Sequence, residues 1–193
     1  GDVLPVDRLE AYEQNILEHT QVINTARLHH SEPKIDWKYH QYLALLFTEM
    51  FLDRYFADPD ALRQELNARI AEHNEEAESA REQLARMAFW CATGSGKTLL
   101  MHVHIRQFRQ YHERAFKAGH WPKLDQVILV TPNAGLSQQH VKEFTYSGFD
   151  TVAVGDQGVE GLFAEQAKKA IRILDIHKFR DDQGKATVAT ESF

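Results

Sequence analysis

The stretch Phe89–Thr98, FWCATGSGKT, decides how the rest of the chain is read. Its end, Gly94-Ser95-Gly96-Lys97-Thr98, matches the close of the phosphate-loop pattern, in which a glycine and four residues precede Gly-Lys-Ser/Thr. Cys91 stands where the strict pattern has its first glycine. The chemistry asks for small residues whose successive N–H groups turn inward on a polyphosphate. It also asks for the positive end of a helix aimed at that charge. Ala92, Thr93, Gly94, Ser95 and Gly96 meet the first need, and a helix starting near Lys97 meets the second. Lys97 would reach the β- and γ-phosphates, and Thr98 would offer its hydroxyl to Mg²⁺. The bland alternative is a glycine-rich turn that happens to end in Lys-Thr. Context speaks against it: an apolar run of strand length, Met87–Cys91, precedes the loop, and an amphipathic helical pattern follows.

Before the loop the chain reads as helix almost throughout. Leu9, Tyr12, Ile16, His19 and Ile23 recur at helical spacing. Ser31–Lys34 interrupts, and Trp37–Phe56 then reads as a helix that is apolar on most sides and therefore buried. Asp58-Pro59 is a cap followed by a first-turn proline. Leu62, Leu66, Ile70, His73, Ala77, Ala80 and Leu84 then form a narrow stripe on a long polar helix.

After the loop, strand and helix patterns alternate. Thr98–Lys117 is helical and stops at Gly119. Gln126–Val130 is strand-like, and a helix follows through about Phe144. Thr151–Val154 is strand-like, Glu160–Ala170 helical, and Ile171–Ile176 strand-like again. A turn at Asp181–Gly184 leads to a last short strand, Ala186–Ala189. Such alternation implies crossover units and a parallel sheet. Phe89 and Trp90 are expected in its core. The reading is α/β: an all-helical N-terminal layer over residues 1–86, then a P-loop domain over 87–193.

The 193 residues carry 43% hydrophobic and 26% charged side chains, ordinary globular composition. A net charge of −6 excludes a surface that grips nucleic acid everywhere by charge, though not local phosphate contacts. One cysteine, Cys91, makes no internal disulfide, so a reducing, cytoplasmic setting is expected. No run reaches the roughly 18 apolar residues of a membrane span.

Three segments carry a family resemblance, the first two most closely. ATGSGKT is similar to the first motif of superfamily 2 helicases and translocases. QVILVTPNAGLSQQHVKEF (Gln126–Phe144) resembles their next motif, a strand ending in Thr-Pro that leads into a helix. Both look most like the restriction subunit of type III restriction enzymes and related DEAD/DEAH-box proteins. ATVATESF (Ala186–Phe193) resembles a third, nucleic-acid-contacting motif. The resemblance implies paired RecA-like domains with ATP and Mg²⁺ between them, of which this chain holds the front part of the first. It implies that Thr131, Pro132 and Asn133, and Thr190 in the third motif, lie against a DNA backbone. It places Lys97 and Thr98 among the catalytic residues of an ATP hydrolase that moves on DNA in a restriction-like defence system. A second RecA-like domain, a nuclease domain and a modification subunit are the partners it suggests.

Such families also read adenine through an upstream glutamine. Tyr39-His40-Gln41-Tyr42 resembles that element, with a surface glutamine as the plainer reading; Gln64 and Gln83 are further candidates. The family's Asp-Glu-x-His carboxylate motif is missing. Asp175 in IRILDIHKF is the nearest acid but is followed by isoleucine. The chain is therefore expected to be an N-terminal fragment that is inactive alone. His102 and His104 sit two apart on a helix and do not face each other, so no metal site is expected. Lys168, Lys169 and Arg172 read as a solvated basic helix end. Two other classes stay open: a P-loop ATPase or kinase acting on a non-nucleic-acid partner, and a non-catalytic nucleotide-binding interaction module.

Overall fold

A computed structural model describes residues 6–72, 81–153 and 170–176. Five α-helices are described, α1 (Val6–His29), α2 (Tyr39–Ala57), α3 (Pro59–Ala71), α4 (Lys97–Lys117) and α5 (Ala134–Tyr146). Three strands are described, β1 (Val127–Thr131), β2 (Thr151–Ala153) and β3 (Ile171–Asp175), with a short 3-10 helix, Arg81–Ala85. The chain forms two compact units, Gly1–Thr20 with Asp36–Lys123, and Gln21–Ile35 with Leu124–Phe193.

The first unit is helical and holds the phosphate loop. Asp58 caps α3 by accepting from the N–H groups of Asp60 and Ala61, as its place before Pro59 foretold. Leu52 and Phe56 of α2 pack on Tyr111 and Ala115 of α4, with Phe108 and Trp121 closing the cluster. Phe56 meets Trp121 edge-on at 4.9 Å, and the Trp121 indole N–H donates to Phe56 O at 3.1 Å. Tyr12 and Ile16 of α1 are buried, and Trp37 donates to Thr20 Oγ1 at 2.8 Å.

Three expectations fail in this unit. The helix after Pro59 runs to Ala71, His73, Ala77 and Ala80 lie outside the described residues, and Arg81–Ala85 is 3-10 rather than α-helical. The α2 helix is buried on one face only: Phe47 is 59% exposed, because just the side bearing Leu45, Leu52 and Phe56 meets other helices. Met87–Cys91 forms no strand, and Trp90 is 97% exposed with Phe89 also outside the core. An apolar run has strand-like character, but becoming a strand needs a ladder partner, and none of the described strands pairs with it.

The second unit contains the sheet. Its order is β1-β3-β2, and both pairings are parallel, as the alternating pattern implied. Every residue of β3 is buried, the mark of a central strand, and Phe144 of α5 is fully enclosed. Arg172 lies inside this strand and is 2% exposed, so it is not part of a solvated basic helix end. Arg27, also buried, donates to Pro33 O at 2.9 Å and pairs with Glu32 and Glu143. The expected helix Glu160–Ala170 lies, but for Ala170, outside the described residues, as do Lys168, Lys169 and the segments Asp181–Gly184 and Ala186–Ala189.

Candidate nucleotide site

The loop enters α4 through two left-handed glycines, Gly94 (φ 76°) and Gly96 (φ 81°), flanking Ser95. An L-residue at either position would be strained by about 1–2 kcal/mol. Ser95 N–H donates to Ala92 O at 3.2 Å and tightens the turn. The helix has no side-chain cap at Gly96, and its first backbone bond runs from Leu100 N–H to Gly96 O. The N–H groups of Lys97, Thr98 and Leu99 precede that bond, so they are donors left for a ligand at the positive end of a 21-residue helix. A Cβ placed on Gly94 would meet nothing within 4 Å, which leaves open space beside the loop.

Lys97 is exposed, and its side chain folds back over the loop. Its ammonium donates to Cys91 O at 3.1 Å and to Ala92 O at 2.8 Å. A cation held above inward-facing backbone donors is the arrangement a polyphosphate requires. Thr98, one residue into the helix, is partly exposed. Ala92, Thr93, Gly94, Ser95, Gly96, Lys97 and Thr98 thus come together as one site, and they fit a triphosphate. An open groove of about 450 Å³ adjoins it, lined by Leu43, Phe47, Phe89, Trp90, Cys91 and Ser95.

Gln41, at the start of α2, reaches the same loop. Its Nε2 donates to Ser95 O at 2.8 Å, while its Oε1 accepts from Lys38 N–H at 2.8 Å. Gln64 on α3 and Gln83 on the 3-10 helix are both exposed.

Where α2 packs on α4, α2 carries a buried acid that the sequence reading missed. Glu49 is 0% exposed; its Oε2 accepts from Tyr111 Oη at 2.6 Å and Asn15 Nδ2 at 3.1 Å. Burial pushes its carboxyl above the usual range, partly offset by the hydrogen bond from Tyr111. Burial likewise raises Tyr111. Gln107 donates to Leu45 O at 3.0 Å and binds the same two helices together. The signal was present: one glutamate on the α2 face that also carries Leu45 and Leu52.

His102 is fully buried and His104 half-buried. His104 stacks on Phe89 with centroids 4.3 Å apart, and burial pushes its pKa down to about 4. No cluster of metal-ligating side chains occurs among the described residues.

In the second unit, Thr131 ends β1 beside Asp175 of β3. Thr131 is 2% exposed; its hydroxyl lies 2.6 Å from Ser137 Oγ and donates to Leu174 O at 3.3 Å. The Asn133 side chain caps α5, accepting from Leu136 N–H at 2.9 Å. Pro132 and Asn133 are exposed. Thr190 lies outside the described residues.

A family model described as the type III restriction enzyme, res subunit, matches residues 34–192. The chain belongs to that family. It is a superfamily 2, helicase-like family, and the match takes in Gln41, the phosphate loop and the Thr131 turn together. No curated protein matches the chain, and no solved structure does. Helicase-like members of this family are in general ATP-hydrolysing enzymes. Among the described residues, no helix is long and apolar enough to cross a membrane.

Proposed function

We propose that the chain is the ATP-binding part of an ATP-dependent DNA helicase or translocase of a type III restriction-like defence system, working in the cytoplasm. Residues 1–86 are then a helical region ahead of RecA-like sequence over 87–193. The observation that carries this reading is the Gly94–Thr98 loop. Two left-handed glycines, an uncapped helix start and an overlying lysine meet there, inside a family match over residues 34–192.

Mg-ATP, when bound, supplies the phosphoanhydride whose hydrolysis drives movement. The chain's own groups have separate tasks. The N–H groups at the start of α4 take the phosphate oxygens, and the Lys97 ammonium leaves the Cys91 and Ala92 carbonyls to neutralise β- and γ-phosphate charge. The Thr98 hydroxyl is a ligand for Mg²⁺. Pro132 and Asn133 lie against the DNA backbone, with Thr131 shaping that turn from inside and Thr190 contributing a further contact. Such contacts position the duplex or strand without reading its sequence. Residues 1–193 alone hold nucleotide and turn it over slowly, since the sequence contains no Asp-Glu pair to hold Mg²⁺ and aim water.

The test is ATP hydrolysis by the protein as the cell makes it, with and without DNA. Stimulation by duplex or single strands is the expected result. A rate that no DNA changes would overturn the translocase reading.

A further inference from the structure

We propose that His19, Gln110, Asn15 and Glu49 form one hydrogen-bonded chain, a latch that holds α1 on α2 and α4 and lets go when acid charges His19. α1 lies ahead of the family match over residues 34–192, and the latch does not depend on what the phosphate loop binds. In the unit that α1 shares with α2 and α4, Tyr12 and Ile16 are its buried apolar side chains. Asn15 and His19 follow them three residues on. They are themselves four apart, and so lie one above the other on a single helix face.

The partners of each amide set the direction of the chain. Gln110 Nε2 donates to Asn15 Oδ1 at 3.0 Å, and Asn15 Nδ2 donates to Glu49 Oε2 at 3.1 Å. Tyr111 closes the far end, donating to the same carboxyl oxygen at 2.6 Å. Both amides therefore point their donors toward Glu49, which leaves Gln110 Oε1 as the open acceptor at the near end. That atom is buried without a partner, and so is His19 Nε2. Gln110 and His19 are neighbours, and a proton on Nε2 turned to Oε1 satisfies both atoms at once.

Acid acts differently on the two ends. Burial pushes the His19 pKa below its ordinary 6.5, and Arg106 adds to this, while the hydrogen bond with Gln110 opposes it. Arg114 of α4 also faces the ring and disfavours its charge, with Glu18 of α1 as a partial offset. Neutral His19 thus stabilises the docked helix above pH 6.5, and that stability is lost as pH falls through its folded pKa. A charged ring escapes burial and both arginines by turning to water, which breaks its bond to Gln110. At the other end, burial raises the Glu49 carboxyl, opposed by hydrogen bonds from Tyr111, Gln107 and Asn15 and by Arg114. A protonated Glu49 still accepts from Asn15 and Tyr111 through its carbonyl oxygen, so that end stays joined in acid. Asp53 of α2, which accepts from Arg8 and Tyr12 of α1, is a second tie between the same helices.

Nuclear magnetic resonance on the 193-residue chain tests the latch. At pH 7 the His19 ring should be the neutral Nε2–H tautomer, read from its ring nitrogen shifts. An Nδ1–H tautomer would overturn the proposal. Amide exchange over residues 10–20, corrected for the intrinsic effect of pH, should lose protection several-fold between pH 7 and pH 5, while α4 keeps its own. His19→Leu should abolish that loss, and Glu49→Gln should retain it. Equal protection of α1 at both pH values, or a loss as large in His19→Leu, would overturn the latch. So would an equal loss in α4, which would mean that the whole unit loosens, or a loss that vanishes in Glu49→Gln, which would move the switch to the acid. If His19→Leu fails to fold, the tautomer and the exchange of the unaltered chain decide between these outcomes.

Discussion

The junction entering α4 and the junction entering α5 look alike in sequence: each places small or polar residues just ahead of a helix. They differ in what happens to their hydrogen-bonding groups. At Asn133 the side-chain oxygen caps α5, and the Thr131 hydroxyl is taken by Ser137 and Leu174. At Gly96 there is no side chain to cap α4, and Lys97 rests on two carbonyls that a phosphate would displace. A helix start whose donors are satisfied internally stabilises the fold. One whose donors are left over can take an anion, and the fold gives up a cap of about 1 kcal/mol there. The motif letters do not record this difference; the hydrogen bonds do.

Substitutions should therefore act oppositely at the two junctions. Lys97→Ala removes charge-assisted contacts to phosphate, and tripolyphosphate affinity should fall by roughly 10- to 100-fold, with the thermal midpoint nearly unmoved. Thr131→Val should reverse that pattern. It removes a buried hydroxyl from its partners Ser137 and Leu174 and costs about 1–2 kcal/mol of stability by urea unfolding, while DNA affinity stays the same. If DNA affinity drops and stability does not, Thr131 is a contact and the contrast fails. Asn133→Ala should cost about 1 kcal/mol through loss of the α5 cap, again read by urea unfolding.

A weaker effect comes from His104, beneath Phe89. Its folded pKa of about 4 lies below the ordinary 6.5, so the unfolded chain binds the extra proton as pH falls. The stability from neutral His104 is present above pH 6.5 and is lost progressively toward pH 4. Between pH 7 and 6 the loss should be about 0.7 kcal/mol. His19 and His140 are shifted down as well and add in the same direction. His104→Leu should flatten the dependence by one proton; an unchanged slope would place His104 in water.

Much of this was legible in the chain. The stripe Tyr12, Ile16 and Ile23 marks the buried side of α1, and Asp58-Pro59 marks where α3 begins. The runs ending at Thr131 and Asp175 are β1 and β3; β3 is buried on both faces, as an unbroken apolar run suits, whereas β1 alternates and leaves Ile128 and Val130 exposed. Met87–Cys91 misled, since apolarity does not specify a ladder partner. Phe47 and Trp90 misled for a similar reason: a hydrophobic side chain is buried only where something covers it, and their exposure shows that here nothing does. At the site, the residues of the loop were readable from spacing. The use made of Gln41 was not, since an amide has a donor and an acceptor, and sequence cannot say which way either points. Glu49 was readable only in hindsight, as an acid whose burial depends on Tyr111 and Asn15 lying on other helices.

The most direct test of the central claim is a crystal structure grown with Mg²⁺ and a non-hydrolysable ATP analogue. The account predicts phosphate oxygens within hydrogen-bonding distance of the N–H groups from Gly94 to Thr98, with the Lys97 ammonium moved off the Cys91 and Ala92 carbonyls. An empty loop with Lys97 still seated on both carbonyls, at saturating analogue, would contradict it.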